Sequence, residues 1–155
     1  MADNYARKVR EQHGQIRSQL DLVKKRYEKE MKYERKVLRE LSFDLLQERL
    51  RRYFHPMFQW NMLGDEHVEE YCLDIAIESF LLGARVSKRG KGYEDFQKHS
   101  KQEESLLIDT LYGAVSMSVT DLYQDGLYYL CQGYVQDWWK EGYRTAEKRR
   151  RLRLH

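Results

Sequence analysis

Glu66, Glu70 and Asp74 stand at four-residue intervals. On a helix this spacing puts their carboxylates on one face, and such a row is a way to hold a divalent cation. The same acids also suit the start of a helix capped by Asp65, where negative charge meets the positive end of the dipole. An acidic face opposite the basic first helix explains the row without a metal. Helical di-iron sites need Glu-x-x-His pairs on two helices. The residues three before the five histidines are Arg10, Arg52, Gly64, Phe96 and Leu152, so no such pair exists. Gly90-Lys91-Gly92 lacks the spacing of a phosphate-binding loop, and no Gly-x-Ser-x-Gly elbow occurs. Cys72 and Cys131 both fall on apolar helical stripes, where a thiol is ordinarily buried and inert. A nucleophilic cysteine needs a nearby histidine, and His67 sits about 100° or more around the helix from Cys72. These residues predict no catalytic group, no metal ligand and no cofactor, hence a protein that is not an enzyme.

The elements that carry these residues are helices. The chain has 155 residues, 41% hydrophobic and 34% charged, with Pro56 its only proline and Asn4 and Asn61 its only asparagines. A sheet protein would need many more turn residues. Apolar residues recur at three- and four-residue steps, and no stretch alternates with period two. The fold class is therefore all-α, a bundle of four to five helices with no sheet. Residues 1–155 are expected to form a single domain, with 1–14 and 148–155 flexible. Two cysteines exclude a disulfide-stapled scaffold. The longest apolar run is Leu127–Cys131, too short to span a membrane. Residues 1–14 hold no apolar signal segment. A cytoplasmic location follows as an expectation.

Ile16, Leu20, Val23, Tyr27, Met31, Leu38, Leu41 and Leu45 form one stripe from about Gln15 to Phe54. Forty helical residues would span about 60 Å, against a radius of gyration of about 15 Å for a compact chain of this size. A break is therefore expected at Ser42, a good N-cap, with a stop at His55 before Pro56. Met57 to Leu63 reads as an apolar connector ending at Gly64. Asp65 then caps a second helix to about Val86. It carries Val68, Cys72, Ile75, Ser79 and Leu82 on one face. Leu73, Ile77, Phe80, Leu81 and Ala84 lie around the others, which makes it the buried central helix. Ser87 to Gly92 reads as a basic loop, and Ser100 to Glu103 as a capping box. The next helix carries Leu107, Leu111, Ala114, Val115 and Leu122. Its small residues Gly113, Ala114, Ser116 and Ser118 predict a close backbone approach. Asp125-Gly126 breaks it from a last helix with Leu127, Leu130, Cys131, Tyr134, Val135 and Trp138.

Charge is segregated along the chain. Residues 1–60 carry 15 basic and 9 acidic residues, whereas residues 61–84 carry six acids and no base. Residues 85–101 are again basic, 102–147 acidic, and 148–155 hold five bases, for a total of +3. Complementary packing within the molecule accounts for this pattern. The alternative is a nucleic-acid-binding module whose anion-binding residues are Lys88, Arg89, Lys91, Lys148, Arg149, Arg150, Arg151 and Arg153. The near-neutral total and the absence of a DNA- or RNA-reading motif weigh against it. Trp138 continues the core stripe and Trp139 is turned 100° from it, so Trp138, Trp139 and Tyr143 are the interface candidates. Together with the sparse stripe from Ile16 to Met31, they predict a non-enzymatic interaction protein that self-associates as a homodimer. A different protein partner is also open.

Two resemblances bear on function. The row of Glu66, Glu70 and Asp74 superficially resembles that of the all-α nucleotide pyrophosphohydrolases, which would imply a metal-dependent nucleotide hydrolase. Those enzymes pair an EExxE row with an ExxD row, and no glutamate here has aspartate three residues later. Arg35-Lys36-Val37-Leu38-Arg39-Glu40-Leu41-Ser42 and Asp137-Trp138-Trp139-Lys140-Glu141-Gly142-Tyr143 resemble a small uncharacterised family from spore-forming Gram-positive bacteria. That resemblance implies a soluble bacterial protein and transfers no site.

Overall fold

The computed structural model describes residues 2–59, 66–89, 93–117, 119 and 124–152. Among them are five helices and no strand: α1 (Ala2–Leu38), α2 (Phe43–Gln59), α3 (Glu66–Arg89), α4 (Tyr93–Ser116) and α5 (Leu127–Arg151). The chain divides into two compact units, Met1–Lys36 and Val37–His155.

The first unit is α1 up to Lys36. It starts at Ala2, well before Gln15, where the apolar stripe begins. The preceding residues contain no proline and are rich in strong helix formers, and Arg7 pairs with Glu11 one turn on at 3.7 Å. Helix therefore forms without an apolar face to direct it.

The expected break at Ser42 lies near the start of the second unit. Glu40 N–H donates to the Val37 carbonyl at 3.1 Å and Leu41 N–H to that of Leu38 at 3.0 Å, which closes α1. Ser42 caps α2: the Leu45 N–H donates to its Oγ at 3.1 Å. α2 does not stop at His55. It runs through Pro56 to Gln59, because a proline in the last turn forfeits only the bond to the Arg52 carbonyl. Met57 to Gln59 thus belong to α2. The rest of the expected connector, with Gly64 and the Asp65 cap, lies outside the described residues.

α3 is the central helix. Every residue from Ser79 to Ala84 is buried, as are Val68, Cys72, Ile75 and Val86. α5 runs beside it in the same direction. Tyr134 Oη donates to the Cys72 carbonyl at 2.8 Å toward one end, and Arg150 Nη2 to Ser87 Oγ at 2.8 Å toward the other. Where the two helices cross, only glycine fits. A Cβ on Gly83 would overlap the Trp139 carbonyl oxygen and lie 3.0 Å from the Tyr143 nitrogen. A Cβ on Gly142 would overlap the Phe80 carbonyl oxygen and lie 2.9 Å from its Cα. The close approach expected at Gly113 is absent: a Cβ there meets nothing within 4 Å. Ala114 and Ser116 are half-buried, and Ser118 lies outside the described residues.

α4 packs antiparallel to α5 and buries Ile108, Leu111 and Val115. Ser100 does not cap it. The helix starts at Tyr93, and Ser100, buried inside it, accepts a bond from Trp139 Nε1 at 3.0 Å. Nothing in the sequence from Tyr93 to His99 interrupts a helix. The expected basic loop does not begin at Ser87. Ser87, Lys88 and Arg89 are the last turn of α3, and Gly90 to Gly92 lie outside the described residues. Gly126, at φ 84°, adopts the left-handed geometry that glycine tolerates without strain and starts α5 where the sequence predicts; α4, however, ends at Ser116, and Leu122 lies outside the described residues.

Two substitutions of one kind should differ in sign. Gly142→Ala is expected to lower stability by about 1–3 kcal/mol through overpacking. Gly113→Ala, in an exposed helix interior, is expected to raise it by about 0.5–1 kcal/mol. Ile75→Ala should cost about 2–5 kcal/mol. Urea midpoints of the three variants measure all of these.

Candidate functional site

α5 carries the most connected polar groups, and α2 crosses it antiparallel. Arg49 of α2 lies over the Trp138 ring, 4.3 Å from its centroid, and reaches Glu141 at 3.6 Å. The cation is thus held between an aromatic face and a carboxylate, a stacked geometry that suits guanidinium and not ammonium. One turn further along α2, the Tyr53 hydroxyl donates to the Asp137 carboxylate and lies 3.2 Å from the Gly133 carbonyl. The Tyr53 and Phe54 rings both meet Tyr134 edge-on, at 5.6 and 5.4 Å. Trp138 Nε1 is buried and has no acceptor among the described residues. These groups lock helices together. None presents a nucleophile beside a base.

The cysteines behave as expected. Both are buried and unbonded. Burial pushes each thiol up to about 12, with Cys131 and Glu69 adding to the shift at Cys72. Burial also pushes the Tyr134 phenol above its ordinary range. Of the carboxylate row, Glu70 and Asp74 are exposed, and the Glu66 and His67 side chains lie outside the described ones. No three histidine, cysteine, aspartate or glutamate side chains are grouped to hold a metal among the described residues.

The aromatic candidates separate. Trp138 is fully enclosed and presents no surface. Trp139 is half-buried, tied to Ser100 and stacked on Tyr143 at 5.4 Å with 16° between the planes. The 100° between the adjacent tryptophans is thus absorbed by α4. The basic candidates also separate. The tail is not solvated throughout: α5 remains helical to Arg151. Arg149, with 16% of its side chain exposed, pairs with Glu40 at 2.9 Å. Arg150 is spent on Ser87, and Arg151 pairs with Glu147 at 2.5 Å. Lys88 and Lys148 are exposed, while Lys91, Arg153 and the Arg89 side chain lie outside the described residues. Within the second unit, Arg49 from a basic stretch pairs with Glu141 from an acidic one, whereas Arg149 and Glu40 both come from net-basic stretches. Sequence reasoning missed these pairs because partners 92 and 109 residues apart leave no local signal.

α1 is the element with the most open apolar surface. Ile16 is 55% exposed, Leu20 63% and Val23 62%. They continue from Val9 and His13 toward Tyr27 at alternating four- and three-residue steps, the narrow seam of a coiled coil. The flanking surface is charged.

Fold and site together define an all-α protein with a close-packed core and one helix whose apolar seam is open. The chain belongs to the family described as "Protein of unknown function (DUF2521)", which matches residues 17–155. It is also similar to "Uncharacterized protein YbaK" of Bacillus subtilis (strain 168), a spore-forming Gram-positive bacterium. The two are 28% identical over 136 residues, 82% of this chain and 91% of that protein. No solved structure matches the chain. The resemblance carried by Arg35–Ser42 and Asp137–Tyr143 is met by this family. No helix is long and apolar enough to cross a membrane among the described residues.

The raised thiols and phenol give a pH signature. Their folded-state values lie above those of the unfolded chain, so the unfolded chain loses these protons first. Stability is expected to hold up to about pH 8.5, the ordinary thiol value, and to fall as pH rises toward 12. Chemical unfolding measured at pH steps checks the fall. A thiol reagent at pH 8 should label Cys72 and Cys131 only after unfolding.

Proposed function

We propose that the chain is a cytoplasmic, non-enzymatic interaction protein that associates with itself through α1. The observation that carries this is the exposure of Ile16, Leu20 and Val23 at coiled-coil spacing. Fully burying an aliphatic side chain of this kind is worth about 1.5–3 kcal/mol. An isolated polar helix gains most of its stability from such packing. Trp139 and Tyr143 are a smaller part of the surface than their number suggests, since α4 and α5 already engage them. Nucleic-acid binding is less favoured because Arg149 and Arg150 are occupied by Glu40 and Ser87.

Light scattering on the full chain at tens of micromolar should give at least twice 18.9 kDa. Ile16→Glu with Leu20→Glu should return it to 18.9 kDa without shifting the unfolding midpoint of the second unit. A wild-type chain that stays at 18.9 kDa on concentration overturns the proposal. So does tight, salt-sensitive binding of a labelled duplex by such a chain.

A further inference from the structure

We propose that α1 of one copy lies parallel and in register against α1 of a second copy. This rests on the self-association proposed above and adds its direction. The residues beside the seam carry it.

In heptad terms, Val9, Ile16 and Val23 occupy d, and Ala6, His13, Leu20 and Tyr27 occupy a. The e positions are then Asp3, Arg10, Arg17, Lys24 and Met31, and the g positions Tyr5, Gln12, Gln19 and Arg26. Neighbouring chains in such a seam meet through e and g. In an antiparallel pair e faces e; with position 9 set against position 27, Arg10 meets Lys24 and Arg17 meets Arg17, so three cations on each copy face three on the other, and a shift by one heptad still leaves two facing two. In a parallel pair g faces the e residue five positions on in the partner. That places Tyr5 by Arg10, Gln12 by Arg17, Gln19 by Lys24 and Arg26 by Met31. No like charges meet. The glutamines accept bonds from the cations, and Tyr5, 74% exposed, offers Arg10 an aromatic face.

The width of the seam points the same way. A helix that lies on a lipid surface needs a broad apolar face. Here polar residues separate every member of a one-residue-wide row, apart from Leu22 beside Val23. β-Branched residues at d with leucine at a are a pattern that draws in more than two strands. Two copies are therefore the smallest assembly, and the parallel direction holds for any larger one.

Disulfide trapping reads the direction. Positions 9 and 27 are about 27 Å apart along one helix, and a disulfide needs Cα atoms within about 7 Å. Cys72 and Cys131 are buried and do not compete. Val9→Cys should oxidise to a covalent dimer by itself, and mixing it with Tyr27→Cys should give no mixed product. A mixed product as the main species means an antiparallel pair and overturns the inference while self-association stands. An assembly of at least twice 18.9 kDa that forms neither product places the contact elsewhere, with the same consequence. A monomer that floats with phosphatidylglycerol vesicles overturns both proposals in favour of a lipid surface. As a second reading of direction, Gln19→Glu should tighten association several-fold in sedimentation, by placing a carboxylate opposite Lys24. Antiparallel chains with position 9 against 27 would instead bring the two new carboxylates together and associate more weakly.

Discussion

The contact on which the second unit depends is between two backbones. Gly83 and Gly142 let α3 and α5 approach until each glycine meets a carbonyl of the other helix. No side chain could stand between them at that point. Because the axes are so close, Tyr134 spans from α5 to the Cys72 carbonyl, and Trp138 is enclosed instead of forming part of a surface. The remaining faces of α5 then take α2, through Arg49 and Tyr53, and α4, through Ser100 and Tyr112. Where α5 comes this near, α3 is buried on every face from Ser79 to Ala84, at the close packing usual of protein interiors.

α1 follows different physics. Its helix owes more to propensity and to pairs such as Arg7 and Glu11 than to an apolar face within its own unit. The residues that would be buried in a core helix form a single row, broken at His13. Such a row is too thin to direct folding into a bundle and well shaped for a second helix. Most helical stability in proteins comes from packing an apolar face, so pairing would add to what propensity supplies.

Much of the second unit was legible in the sequence. Ser42, Gly126 and the stripe through Leu127, Cys131, Tyr134, Val135 and Trp138 carry local signals: a cap, a residue that tolerates positive φ, and a period. What was not legible depended on distant chain. Gly83 and Gly142 look like weak points in helices until the facing carbonyls are known, whereas Gly113, with small neighbours, looked like a contact and is not one. Ser100 matched a capping box, but Trp139 gave its hydroxyl another partner. Pro56 marked a stop, yet near the end of α2 its missing donor is inexpensive. Arg149 sat in a run of bases that reads as solvated, and Glu40 claims it across the fold. The stripe of α1 was legible as a period, whereas the burial of Trp138 and the cover that α4 gives Trp139 have no trace in local spacing.

A helix whose apolar seam is closed only by another copy should gain protection as copies meet, and a core held by its own backbone contact should not. Hydrogen exchange followed by mass spectrometry across a hundredfold dilution measures both in one sample. The amides of residues 9–27 should exchange more slowly as concentration rises, while those of α3 and α5 stay equally protected throughout. Exchange in residues 9–27 that ignores concentration, or protection of α3 and α5 that follows it, would contradict this division of the chain into a self-sufficient core and a helix completed by a second copy.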